Sequence, residues 1–175
     1  MGKWMNDDNG FTVIELLATC LIVAVVVTLG AYAAGHYWKV RAFNGAVEEV
    51  VTELRGEQQD ASSQSHPHVW GAWFKAGTNR WGIVRGNIKT GTCTVTSRRT
   101  FPAGVEVQSA SFTDITTLSL TSNCATAAES GAEVALFLAR GTATAGSVSL
   151  RHPQVSGGAA KTITVSPITG RVTRS

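Results

Sequence analysis

The sequence predicts an α+β protein in which a long N-terminal helix packs on an antiparallel β-sheet domain. Residues 16–34 contain no charged residue and no proline, and residues 37–54 repeat apolar side chains every three or four positions. Residues 61–175 are rich in Thr, Ser, Gly and Val. With 43% hydrophobic and 15% charged residues, the 175-residue chain has the composition of about one folded domain rather than of a disordered one.

The first half of the predicted helix is long enough to cross a membrane. Its 19 uncharged residues span roughly 28 Å at about 1.5 Å per residue, close to the thickness of a bilayer core. The apolar core of a removable secretory signal is shorter, about 7–15 residues. We therefore expect residues 11–35 to form a single-pass transmembrane segment.

One acidic residue, Glu15, precedes this apolar run. An ionised carboxylate costs up to about 3 kcal/mol near the middle of a bilayer and less near its surface. Cleavage after Gly10 would create a free amine on Phe11, about 6 Å of helix from Glu15. The residues alone leave two interpretations open. The carboxylate either lies among the headgroups without a partner, or pairs with such an amine.

Residues 10–17, GFTVIELL, resemble the class III signal of type IV pilins and pseudopilins. In that family a prepilin peptidase cuts after the Gly, the new N-terminal Phe is methylated, and the Glu pairs with the N-terminus of a neighbouring subunit. The resemblance implies a leader over residues 1–10, cleavage between Gly10 and Phe11, N-methylation of Phe11 and an assembly role for Glu15.

The same resemblance implies the partners and the location of the chain. The expected partners are prepilin peptidase, other pilin or pseudopilin subunits and the inner-membrane assembly platform. Before assembly the chain would be a single-pass inner-membrane protein, and afterwards part of a periplasmic or cell-surface filament.

An amphipathic stretch follows over residues 36–60, and the helix is expected to continue to about Gln59. Apolar side chains from Tyr37 to Leu54 share one helix face. A plain membrane anchor would not need this half, which resembles the spine of a pilin and should pack on a folded domain. The opposite face is expected to carry Glu48, Glu49, Glu53, Arg55 and Glu57.

The domain over residues 61–175 is expected to consist of short antiparallel strands after a polar linker at residues 61–68. Gly, Asn or Pro separates most of the segments that have strand composition. These segments are residues 69–74, 81–85, 92–97, 105–109, 111–112, 117–121, 134–138, 147–151, 162–166 and 171–173.

Residues 162–172, TITVSPITGRV, predict a terminal hairpin. Pro167 presets φ for the turn, and Gly170 permits a positive φ. The stretch resembles the C-terminus of the GspH/FimT (FimU) group of minor pilins and pseudopilins, whose members often end in Val-Ser-Pro-x-x-Gly-Arg.

Cys93 and Cys124 are candidates for a disulfide, because this topology places them beyond the membrane, on an oxidising side in many bacteria. The bond would close a loop of about 30 residues and contribute roughly 3–4 kcal/mol. Two separate thiols are the alternative. Cys20 is expected to be an apolar filler of the membrane segment.

His66 and His68 have no adjacent Cys or acidic ligands, so we expect neither a metal nor another cofactor.

The uneven distribution of charge suggests a second kind of partner, a polyanion. After residue 60, eleven Lys and Arg residues face four acidic ones, a net charge of +7, whereas residues 40–60 carry −3. Some FimT-type members bind DNA through an Arg-containing tail, which would here place DNA-binding residues at Arg171 and Arg174. The alternative is an edge hairpin with two solvated Arg residues.

Four aromatic residues, Trp70, Trp73, Phe74 and Trp81, interleave with cations. Such a pattern can stack nucleic-acid bases, but we expect the core of a sheet with charged loop ends.

No nucleophile elbow, phosphate loop, His-Glu-x-x-His or Cys-x-x-Cys motif is present, so we expect no enzyme. The sequence instead suggests a minor type IV pilin that contributes to pilus assembly or initiation. The alternatives are a DNA-binding minor pilin for natural transformation and a minor pseudopilin of type II secretion.

Overall fold

The computed structural model of the chain describes residues 12–63, 68–113, 120–139, 141–155 and 158–175. The chain divides into two compact units, Met1–Trp38 and Lys39–Ser175. The predicted leader and the cleavage site between Gly10 and Phe11 lie outside the described residues.

Helix α1 extends over Val13–Ser63 and passes the predicted end near residue 60. The hydroxyls of Ser62 and Ser63 donate to the carbonyls of Gln59 and Asp60, at 2.8 and 3.0 Å, and so satisfy acceptors of the last turn. The predicted amphipathic periodicity is confirmed within the second unit. The buried residues of the helix are Phe43, Ala46, Val47, Val50, Val51, Leu54, Glu57 and Ala61.

Two antiparallel four-stranded sheets follow the helix, which confirms the α+β prediction. The strands of the first sheet are β1 His68–Phe74, β2 Arg80–Asn87, β3 Thr92–Thr100 and β5 Glu133–Leu138. Those of the second are β4 Glu106–Phe112, β6 Gly146–Arg151, β7 Lys161–Val165 and β8 Val172–Arg174. The strand order is β3-β2-β1-β5 in the first sheet and β4-β6-β7-β8 in the second.

Two of the strand predictions need correction. The segments predicted at 105–109 and 111–112 form one strand, β4. The segment predicted at 117–121 is wrong at its end, because helix α2 occupies Leu120–Ala128. Leu120, Cys124 and Ala128 are buried four residues apart, a helical period that the surrounding Ser and Thr residues obscure.

The predicted linker at 61–68 is also shorter than expected. Ala61 is fully buried within α1, and His68 is the first residue of β1. Both ends of the predicted linker therefore belong to regular secondary structure. His66 and Pro67 lie outside the described residues.

The core of the second unit has two layers on either side of the first sheet. The larger one joins the buried face of α1 to one face of each sheet, with Leu54, Trp81 and Leu150 among its members. The smaller one packs α2 on the opposite face of the first sheet, through residues such as Trp73 and Cys124.

The terminal hairpin is present as predicted. Gly170 adopts φ 61° between β7 and β8, and the Ser166 amide donates to the Arg171 carbonyl at 3.0 Å. This turn places β8 beside β7 at the edge of the second sheet.

Candidate functional site

Glu15 lies in the first turn of α1, where Thr12 caps the helix. The Glu15 amide donates to the Thr12 hydroxyl at 3.3 Å, and the Leu16 amide donates to the Thr12 carbonyl at 3.1 Å. This Thr-x-x-Glu spacing is that of a capping box, a helix-start signal that is visible in the sequence itself. The partial positive charge of the helix terminus favours a carboxylate at this position. Among the described residues, no cation forms an ion pair with it.

The first unit presents an apolar helix surface. Large apolar side chains between Val13 and Leu29 are 51–78% exposed. Over its most apolar window α1 has a mean hydropathy of 2.6, so its length and composition suffice to cross a membrane. Apolar patches of this extent mark surfaces that contact a membrane or another protein.

Three carboxylates of the second half of α1 pair with cations of the sheets. The Arg99 guanidinium of β3 lies 2.5 Å from Glu53 and 3.3 Å from Glu49. Arg174 of β8 forms an ion pair with Glu48. The negative stem and positive domain seen in the sequence therefore neutralise one another in part, within the second unit.

The two candidate DNA-binding residues have different surroundings. Arg174 is engaged by Glu48, whereas the exposed Arg171 side chain makes no ion pair with any residue that the structure describes. The surplus charge that the tail offers to a phosphate is thus smaller than the sequence suggests.

The aromatic residues that interleave with cations are buried, as the core interpretation predicted. Trp70, Trp73, Phe74 and Trp81 are at most 3% exposed. Their rings fill the two core layers, where they are unavailable for stacking on a base.

Within the described ranges, no group of three His, Cys, Asp or Glu residues has the arrangement of a metal site.

A disulfide joins Cys93 of β3 to Cys124 of α2, with 5.0 Å between their Cα atoms. Asn123 supports the same junction by donating to the Gly91 carbonyl at 2.9 Å. The bond ties the small helix to an edge strand of the first sheet and so stabilises the smaller core layer. Cys20 is a free, exposed cysteine.

Glu57 is a correction to the predicted charged face of α1. Since it follows Leu54 by three residues and precedes Ala61 by four, the helix carries it onto the buried face, where it is 8% exposed. Its Oε2 has no hydrogen-bond partner among the described residues. Burial, reinforced by repulsion from Asp60, raises the pKa of Glu57 from 4.5 to about 7.

The comparisons with known proteins identify the fold. No protein-family model matches the chain, and no curated protein matches its sequence. The chain is similar in structure to the minor pseudopilin EpsH from the type 2 secretion system of Vibrio cholerae, with a TM-score of 0.53 and 10% identity. The match covers 76% of this chain and 95% of the other.

The long helix, the two antiparallel sheets and the similarity to EpsH together show that the chain has the α+β fold of a pseudopilin.

Proposed function

We propose that this chain is a minor subunit of a pilin-type filament, anchored in the membrane by the first half of α1. A prepilin peptidase removes residues 1–10, and the new N-terminal Phe11 is methylated. The apolar surface of α1 then leaves lipid and packs among the helices of neighbouring subunits. The domain over Lys39–Ser175 stays outside the membrane.

The single observation that carries this proposal is Glu15 at the start of an exposed apolar helix. Its carboxylate has its own helix terminus nearby but no cation among the described residues. In a helical bundle of low dielectric constant an uncompensated charge costs several kcal/mol. The methylated amine of a neighbouring subunit supplies the missing positive charge, and this makes correct assembly electrostatically favourable.

The similarity to EpsH favours a type II secretion filament over a surface pilus as the assembly that this subunit serves. The likeness is one of fold, at 10% identity. A role in DNA uptake receives less support, because Arg174 already pairs with Glu48.

The test is to follow processing and incorporation separately. In cells that contain prepilin peptidase and the other subunits, mass spectrometry of the extracted wild-type protein should show methylated Phe11 as the N-terminus. We expect Glu15→Val to be cleaved normally and to fall at least tenfold in the sheared filament fraction, because the carboxylate acts after cleavage.

A matched control changes the same helix without removing charge. Cys20→Val alters one exposed side chain of the apolar surface and should leave incorporation unchanged. Normal incorporation of Glu15→Val, or an uncleaved Met1 terminus in the wild type, would contradict the proposal.

A further inference from the structure

Strand β3 forms an edge of the first sheet. It pairs with β2 along one side, and its other side has no strand partner among the residues that the structure describes. The backbone N–H and C=O groups on such an edge are free to pair with an added strand. None of its side chains is fully buried.

A bulge divides this edge strand into two halves. The register pairs Val84 with Val95 but Ile83 with Ser97, which leaves Thr96 without a partner. Because side chains alternate between the two faces of a sheet, an extra residue in one strand moves each following side chain to the opposite face from the one it would otherwise occupy. Beyond the bulge, Arg98 therefore faces the α2 side of the sheet.

The two neighbouring arginines consequently have different partners. Arg99 stands opposite Trp81, lies 5.3 Å above its ring and binds Glu53. Arg98 stands opposite Gly82 and lies 5.9 Å above the ring of Trp73. No carboxylate oxygen of the described residues lies within ion-pair distance of Arg98.

Arg98 borders a cleft of about 250 Å³ at the end of α2. Glu129 also lies in this cleft, where its Oε1 accepts from Lys75 at 2.8 Å and from Arg80 at 2.9 Å. Lys75 and Arg80 thus pair with this one carboxylate while Arg98 has no ion pair among the described residues, so these four side chains carry a surplus of two positive charges. The cleft is lined by Trp73, Arg80, Arg98, Arg99, Thr100 and Glu129.

The Trp73 side chain helps to preorganise the cleft. Its indole lies against Gly82, where an added Cβ would come within 2.7 Å of Nε1. Nε1 has no acceptor among the described residues although Trp73 is 1% exposed. The buried indole packs against the Arg98 guanidinium. The ion pair with Glu129 holds the Arg80 side chain in the same cleft.

We propose that β3 and this cleft together bind an extended acidic segment of a partner polypeptide. The backbone of the segment pairs with the free edge of β3, as in β-strand addition. One of its carboxylates enters the cleft between Arg98 and Arg80, where guanidinium groups bind carboxylates well. A nucleic-acid backbone suits this site less, because it has no amide and carbonyl groups that could pair with the free edge of β3.

The test uses the full chain in detergent micelles and a fluorescein-labelled decapeptide of alternating Thr and Glu. Fluorescence anisotropy should show binding that Arg98→Gln weakens about tenfold. Lys89→Gln removes the same charge from the β2–β3 turn, outside the cleft, and should change the Kd less than twofold. A decapeptide of alternating Thr and Gln should bind at least tenfold more weakly.

Backbone pairing and carboxylate recognition can be challenged separately. A Thr-Glu decapeptide with alternate N-methyl amides should lose binding, because it cannot complete the strand ladder. Equal losses in the Arg98 and Lys89 variants, undiminished binding of the N-methylated peptide, or equal binding of the Gln peptide would each overturn the proposal. So would a 20-nucleotide oligothymidylate that binds more tightly than the acidic peptide and shows the same tenfold loss with Arg98→Gln.

Discussion

The buried carboxyl of Glu57 makes the stability of the domain depend on pH, and Glu57→Gln should remove that dependence. Glu57 is 8% exposed on the buried face of α1, with one oxygen unpartnered in the described part of the chain. Desolvation is the largest cause of its raised pKa, and repulsion from Asp60 and Glu53 outweighs the attraction of Arg85 and Arg99.

The direction of the effect follows from the two protonation equilibria. Below pH 4.5 the carboxyl is neutral in the folded and the unfolded chain, and it costs nothing. Between pH 4.5 and about 7 it ionises in the unfolded chain alone, so the free energy of unfolding falls as the pH rises. Above pH 7 both states are charged, and the full cost persists.

The magnitude can be bounded from the raised pKa. A rise from 4.5 to about 7 corresponds to about 3 kcal/mol, at about 1.4 kcal/mol for each pH unit. Because part of the side chain reaches water, which screens the charge, we expect about 1–2 kcal/mol. Glu57→Gln should therefore be more stable than the wild type by this amount at pH 8 and equally stable at pH 4.

Urea unfolding of residues 39–175, followed by circular dichroism between pH 4 and 8, measures this difference. The fragment is suitable because it is one compact unit that contains both core layers. Glu133→Gln, which removes a half-buried carboxylate of β5, is the matched control for the loss of one acidic side chain. A stability difference between Glu57→Gln and the wild type that is the same at pH 4 and pH 8 would refute the reasoning.

Two further predictions concern the same fragment. Replacing Cys93 and Cys124 by Ser should lower the free energy of unfolding by about 3–4 kcal/mol, since the bond closes a loop with a separation of 31 residues. Reductant should destabilise the wild type similarly and leave the double variant unchanged, and a wild type insensitive to reductant would contradict this. Leu54→Ala, at a fully buried position, should cost about 2–5 kcal/mol in the same assay, whereas the exposed Thr52→Ala should cost less than about 0.5 kcal/mol. Equal effects of these two substitutions would show that α1 does not pack as described.

The helices illustrate how far local sequence patterns can be used. The stem was predictable because its apolar side chains recur over many turns, and a long period is a strong signal. Helix α2 was missed because its nine residues offer only two full turns, with Ser and Thr between the buried positions. The helix packs against the first sheet and is tied to it by the bond from Cys124 to Cys93, which are contacts between distant parts of the chain.

The charged residues show a similar division. The count of acids and bases predicted a negative stem and a positive domain, but not which charges neutralise each other. Arg98 and Arg99 are adjacent in the chain and both border the cleft, and nothing local to them shows which one binds Glu53. The position of the bulge in the β2–β3 pair decides this, and it depends on the register between two strands.

The sequence by itself determined the apolar segment, the amphipathic stem, the strand-rich domain and the place of Glu15 at the head of the helix. These features are encoded by composition and by the spacing of neighbouring residues, so short stretches of the sequence are sufficient to predict them. The tertiary structure alone decided the order of the strands, the burial of Glu57 and the partner of each arginine. These depend on contacts between residues far apart in the chain, which form only when the helix and both sheets pack around a common core.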